Sequence, residues 1–176
     1  PLDGLLKELA PAQYELNLNH IDNPLYAADN AQMLKRVIKG VAQKHGYIAT
    51  FMAKPFGDMD GNGMHIHCSV LDKDGNNIFV DDKGEHSAAF LGYIAGLQQF
   101  TPELISLYAP NVNSYRRLAP DISAPINLNW GFDNRTVAFR VPQSGPEATR
   151  VENRFPGADA NPYLVLAAIL GAALHG

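Results

Sequence analysis

Three short runs decide the fold: "INLNWGF" at 126–132, "TVAFRVP" at 136–142 and "TRVENRF" at 149–155. Each alternates apolar and polar residues, the period of a half-buried strand. "QYELNLN" at 13–19 does the same, with Tyr14, Leu16 and Leu18 on one face and Glu15, Asn17 and Asn19 on the other. Two more strands are predicted, "YIATFMAKP" at 47–55 and a run from Met64 to Leu71. Between them lies a glycine-rich, acid-bearing loop, and "DKDGNNIF" then supplies a hairpin turn. Hairpins with interspersed helices fit α+β with an antiparallel sheet better than a βαβ array.

The helices announce themselves locally. Asn23 is placed to cap a helix that begins at Pro24, carries an apolar stripe of Leu34, Val37, Ile38 and Val41, and stops at Gly46. Ser87 caps a second helix through about Phe100, and Pro102 to Tyr108 reads as a separate short piece. "NVNSYRRLAPDISAP" reads as loop, and "DANPYLVLAAILGAAL" repeats the Asn-Pro helix start. That last apolar run is too short to span a bilayer and reads as a core helix.

Composition excludes several classes. At 176 residues and 46% hydrophobic the chain suits one globular domain with a sizeable core. A net charge of −4 argues against a nucleic-acid partner, which calls for a basic face. Cys68 is the sole cysteine, so no internal disulfide forms and a reducing, cytoplasmic setting is expected. Both ends of the chain read as cut, so absent targeting signals carry little weight.

Charge is sorted along the chain. All seven lysines lie at or before Lys83, while Arg116, Arg117, Arg135, Arg140, Arg150 and Arg154 cluster toward the end. Guanidinium forks grip carboxylate or phosphate with two hydrogen bonds, so this usage points to an anion site, against the alternative of ordinary surface ion pairs. Alternation puts His65, His67 and Ser69 on one strand face, with Met64, Ile66, Cys68 and Val70 on the other. Taken alone, two such histidines are either ligands or hydrogen-bonded sheet residues. Arg150, Glu152 and Arg154 likewise share a face, a row that is either buried for a purpose or a solvated ladder. Glu8, Glu15, Glu152 and His65 together would form a carboxylate-rich site suited to Mg²⁺ or Mn²⁺. No Walker loop is present, so any nucleotide site is built on sheet and loops.

Four ordered blocks, "ATFMAKPFGDMDGNGMHIHCSV", "NSYRRLAP", "NRTVAFRVP" and "RVENRFPGADANPYL", closely resemble the catalytic domain of the glutamine synthetase family over essentially the whole chain. The resemblance implies a curved antiparallel sheet forming an open barrel with helices packed outside, and a site taking ATP from one end and glutamate from the other. By it, residues 1–176 are a catalytic-domain portion without the small N-terminal domain. It implies two or more Mg²⁺ or Mn²⁺ ions, with Glu8 and Glu15 on the metal nearer glutamate and His65 and Glu152 on the metal that holds the ATP phosphates.

The resemblance further places Gly61 where loop backbone meets the amino-acid substrate, His67 and Ser69 on the nucleotide side, and Arg135, Arg140 and Arg150 facing phosphate. Arg117 and Arg154 match residues gripping glutamate and its reacting γ-carboxyl group. The implied chemistry is phosphorylation of that carboxylate by ATP, followed by displacement of phosphate by an amine. Two positions depart from the pattern of ammonia-using members: Ser123 replaces a glutamate, and Asp60 replaces an asparagine. Losing a carboxylate at the ammonium pocket removes charge and bulk that favour a small cation. The resemblance is therefore strongest to the branch that joins glutamate to larger amines such as putrescine. The alternatives are an ordinary glutamate–ammonia ligase and a non-catalytic homologue. No nucleic-acid or membrane partner is expected; the complete protein is expected to form homo-oligomeric rings, and the segment alone to turn over little.

Overall fold

The structure, a computed structural model, describes residues 2–120 and 123–176. It is α+β. Strands β1 (Leu2–Lys7) and β2 (Tyr14–Leu18) pair as an antiparallel hairpin, followed by helix α1 (Pro24–Lys44). Then come β3 (Ile66–Cys68), the long helix α2 (Ala88–Tyr108), the single-turn α3 (Val112–Tyr115), β4 (Trp130–Phe132), β5 (Phe139–Val141), β6 (Val151–Asn153) and α4 (Pro162–Ala173). The four short strands form one sheet in the order β3-β6-β5-β4.

Helix starts follow their local signals. The Asn23 side chain accepts from the amides of Leu25 and Tyr26, Asn161 does the same for Tyr163 and Leu164, and the Ser87 hydroxyl accepts from Phe90 N. Each satisfies donors that the first helical turn leaves without partners. The core lies between one face of the four-stranded sheet and the helices: Phe139, Val141 and Val151 from strands meet Phe90, Ile94 and Leu97 of α2 and Val165 and Ile169 of α4. Where α2 crosses α4, a Cβ at Gly96 would lie 2.2 Å from the Ala172 carbonyl oxygen, so glycine is required there.

Four expectations need correction. The predicted strand at 47–55 is extended coil without a ladder. Side chains take several of its backbone groups instead: Asn113 bonds both Lys54 N and Lys54 O, and Asn62 Nδ2 donates to Met52 O. The strand predicted from Met64 to Leu71 is trimmed to three residues. Pro102 does not divide α2, because packing on both sides of it, through Leu97 and Tyr108, offsets the roughly 3 kcal/mol that an interior proline costs.

The sheet is also not wholly antiparallel. β3–β6 and β6–β5 are antiparallel, but β4 runs parallel to β5. The connection is much shorter than the dozen residues usual for a parallel crossover. It is tightened by Asp133 at φ 46° and by Asn134, whose Oδ1 accepts from both Thr136 N and Thr136 Oγ1. Among the described residues the strands thus make two sheets rather than one. Positions 121–122 of the proline-punctuated segment lie outside them. No helix among the described residues is long and apolar enough to cross a membrane.

Candidate active site

The register of the four-stranded sheet puts His67, Glu152, Arg140 and Gly131 side by side, one per strand. Alternation sends the flanking residues Val151 and Asn153 to the core and this polar row to the opposite face. Glu152 is nevertheless only 2% exposed, because its neighbours close over it. Arg140 Nη1 donates to Oε2 at 2.8 Å and Arg154 Nη1 to Oε1 at 2.7 Å; His65 Nδ1 lies 3.1 Å from Oε1. Burial pushes the Glu152 carboxyl up, but the bonds from His65 and Arg140 and the Arg154 charge outweigh it and hold it well below the usual carboxylate range. The alternation in "RVENRF" is thus a buried network, not a solvated ladder.

Both histidines are biased toward the neutral form. Burial lowers His65, against the pull of Glu152, and burial also lowers His67, helped by Arg150. Arg150 Nε donates to His67 Nδ1 at 3.3 Å, which leaves the His67 proton on Nε2, the nitrogen 4.0 Å from Glu152. Ser69 sits one residue beyond β3 and is exposed. The row extends through Arg140 Nη2, which donates to Asp133 Oδ1 at 3.0 Å; Gln143 N caps the same oxygen. Asp133, absent from the sequence-based candidates, orients Arg140. Its only signal was the Asp-Asn pair between two strands.

A second carboxylate pair forms on the hairpin. Glu8 follows β1 and Glu15 sits opposite Leu6 on β2, so the two carboxylates meet diagonally across the ladder. Burial raises the Glu8 carboxyl, and sharing a hydrogen bond with Glu15 raises it further. The charge of the exposed Arg135, at the turn between β4 and β5, lowers it in return.

The loop before β3 is pinned between these parts. Gln13 Nε2 donates to Gly61 O at 2.9 Å and to Asn62 Oδ1 at 2.8 Å, and Asn62 N donates to Ala53 O. A Cβ at Gly61 would come within 2.4 Å of Ala53 O, and one at Gly63 within 2.6 Å of Arg117 Nη2 and 2.8 Å of His65 Nε2. Glycine at these positions lets backbone approach the imidazole and guanidinium. Arg117 is buried and donates to the Phe155 and Arg154 carbonyls; burial and the Arg154 charge lower it to about 10. It therefore holds the strand end rather than presenting a free fork. Arg154 Nη2 reaches Ser123 O at 3.4 Å, and Ser123 Oγ donates to Asp60 Oδ1 at 3.0 Å.

The structure brings the sequence candidates into two pairs, Glu8 with Glu15 and His65 with Glu152, rather than one four-residue cluster. Among the described residues no group of three His, Cys, Asp or Glu is placed to hold a metal. Each pair fits a hard cation as a partial ligand set. Glu8 and Glu15 share a proton whose place a cation can take, and His65 Nδ1 and Glu152 Oε1 are spaced like adjacent ligands at bonds of about 2.1 Å. The buried Nε groups of Arg140 and Arg154 have no acceptor among the described residues, donors that a phosphate or carboxylate suits.

These features define an α+β domain with an arginine-rich sheet face beside a carboxyl pair and a histidine–carboxylate pair. The family model for the glutamine synthetase catalytic domain matches residues 1–176, and the chain belongs to that family. It is 48% identical over 176 residues to γ-glutamylputrescine synthetase of Escherichia coli (strain K12), covering all of this chain and 37% of that protein. It is 45% identical over 177 residues to glutamate–isopropylamine ligase of a Pseudomonas species, covering 99% of this chain and 38% of that one. Glutamine synthetase of Thermococcus kodakarensis is 44% identical over 169 residues, covering 96% and 38%. The chain spans a little over a third of the length of these relatives.

Proposed function

We propose that residues 1–176 are the catalytic-domain portion of an ATP-dependent ligase that phosphorylates the γ-carboxylate of glutamate and couples it to an amine. The observation that carries this is Glu152, an ionised carboxylate bridged by Arg140 and Arg154 on one sheet face, beside guanidinium donors suited to a transferred phosphoryl group. In this reading Arg140, Arg135 and Arg150 neutralise the phosphates, His67 and Ser69 lie toward the nucleotide, and Arg154 orients the γ-carboxylate. Gly61 and Arg117 bound the place of glutamate. Glu8 with Glu15, and His65 with Glu152, would hold Mg²⁺ or Mn²⁺, which supplies charge neutralisation to the phosphates when bound.

The acceptor in this reading is an amine larger than ammonia. Asp60 and Ser123 support it, because the small hydroxyl at 123 leaves space and the carboxylate sits at 60. Relatives named for putrescine and for isopropylamine share 48% and 45% identity with this chain. We further propose that the hairpin and four-stranded sheet are parts of one open barrel, and that the complete protein is a cytoplasmic ring-forming homo-oligomer. The chain spans a little over a third of the length of these relatives, and in this reading the segment alone is expected to turn over little.

The test is phosphate release by the complete chain with ATP, glutamate and either putrescine or ammonium. Preference for putrescine supports the amine reading. Clear preference for ammonium replaces it with glutamate–ammonia ligation, and no glutamate-dependent release with either overturns the ligase itself.

A further inference from the structure

Two carboxylates on the sheet face are held by arginine. Glu152 is bridged by two guanidiniums, and Asp133 is paired with Arg140. Asp60 accepts only from Ser123 among the described residues, through the hydroxyl at 3.0 Å and the amide at 3.4 Å. Both donors are neutral, so neither offsets the charge of the carboxylate, in a region otherwise rich in arginine. Even Lys54, buried nearby, gives its ammonium to the Met59 carbonyl instead.

The carboxylate is held in place from both sides. Its successors Gly61 and Asn62 are fixed by Gln13, Ala53 and Ala158 through hydrogen bonds at 2.8–2.9 Å. Ser123 is in turn tied through its carbonyl to Arg154, and Arg154 to Glu152. A continuous hydrogen-bonded chain thus runs from the phosphoryl end of the site to Asp60. Ser123 is exposed and small, and Asp60 is half-buried beside it.

Resting on the ligase reading above, we propose that Asp60 is the residue that receives an alkylammonium group of the acceptor amine, with Ser123 as the positioning residue that aims its carboxylate. An ammonium offers three donors and no acceptor, which matches a carboxylate with lone pairs to spare. Serine at 123 and aspartate at 60 then act as a unit: the hydroxyl orients a charge carried by the loop. The ammonium is either that of the reacting amine before it loses its proton or the far end of a diamine.

The test compares Asp60→Asn with wild type in the complete chain, using putrescine, isopropylamine and hydroxylamine as acceptors. Hydroxylamine is largely uncharged at neutral pH and reports γ-glutamyl phosphate formation without ammonium recognition. Expected is a fall of about ten- to a hundredfold in kcat/KM for putrescine relative to that for hydroxylamine, carried mainly by KM, with recovery in Asp60→Glu. Loss confined to putrescine assigns Asp60 to the far ammonium; loss for both alkylamines assigns it to the reacting one. Ser123→Ala should raise the amine KM about two- to tenfold with little change in kcat, and Ser123→Thr should restore it. An unchanged ratio in Asp60→Asn, or an equal loss with hydroxylamine, overturns the assignment. Failure of the wild type to form hydroxamate overturns the ligase reading itself.

Discussion

Arg140 Nη1 and Glu152 Oε2 face each other across β5 and β6 at 2.8 Å, with Glu152 only 2% exposed. Removing Glu152 also leaves the buried Arg154 guanidinium without its carboxylate, and breaking such a buried pair costs about 3–5 kcal/mol. Glu152→Gln should therefore lower the unfolding free energy at pH 7 by about that amount, read from urea denaturation. The same variant should flatten the acid limb of the stability curve. The folded Glu152 carboxyl lies below its unfolded value of about 4.3. Its contribution is present above that pH and is lost as pH falls toward the folded value. Equal acid sensitivity in variant and wild type would show that other carboxylates dominate.

The crossing of α2 and α4 gives a paired prediction. Gly96→Ala places a methyl against the Ala172 carbonyl and should destabilise by about 1–3 kcal/mol despite the better helix former. Gly171 lies on α4 where an added methyl would meet nothing within 4 Å, so its conversion to Ala should stabilise by up to about 1 kcal/mol. Thermal unfolding of both variants distinguishes close packing from propensity.

Asn113 stands in for a neighbouring strand by bonding both backbone groups of Lys54. Asn113→Ala leaves these partly buried groups without partners and should cost about 2 kcal/mol. Amide exchange at Lys54 should accelerate more than at the central residues of α2. Uniform acceleration would show instead that the whole domain had loosened.

The proposed reading of Glu8 with Glu15 and of His65 with Glu152 as separate cation sites implies two separable effects. In Mn²⁺ calorimetry on the complete chain, Glu15→Gln should weaken one class of site by about tenfold or more and leave the other in place. His65→Ala should do the reverse. Loss of both classes in either variant would argue for one merged site.

Much of this was legible locally. The Asn23, Ser87 and Asn161 caps act within three residues of the helices they start, so their signals survive without tertiary context. Alternation correctly sorted Glu152 from Val151 and Asn153, because a strand's two faces are fixed by its own geometry. Alternation could not say who stands opposite. The extended run at 47–55 failed as a strand because its partners proved to be the Asn62 and Asn113 side chains.

Residue chemistry, helix starts and the face on which each strand residue lies could thus be read before any fold was known. Folding in three dimensions was needed to bury Glu152 among Arg140, Arg154 and His65, to turn Arg117 to backbone carbonyls, and to bring Asp60 to Ser123 across 63 positions of chain. The physical reason is range. Caps and faces depend on neighbours a few residues away, whereas the charge, burial and availability of a side chain are set by partners that only strand register and loop closure bring together.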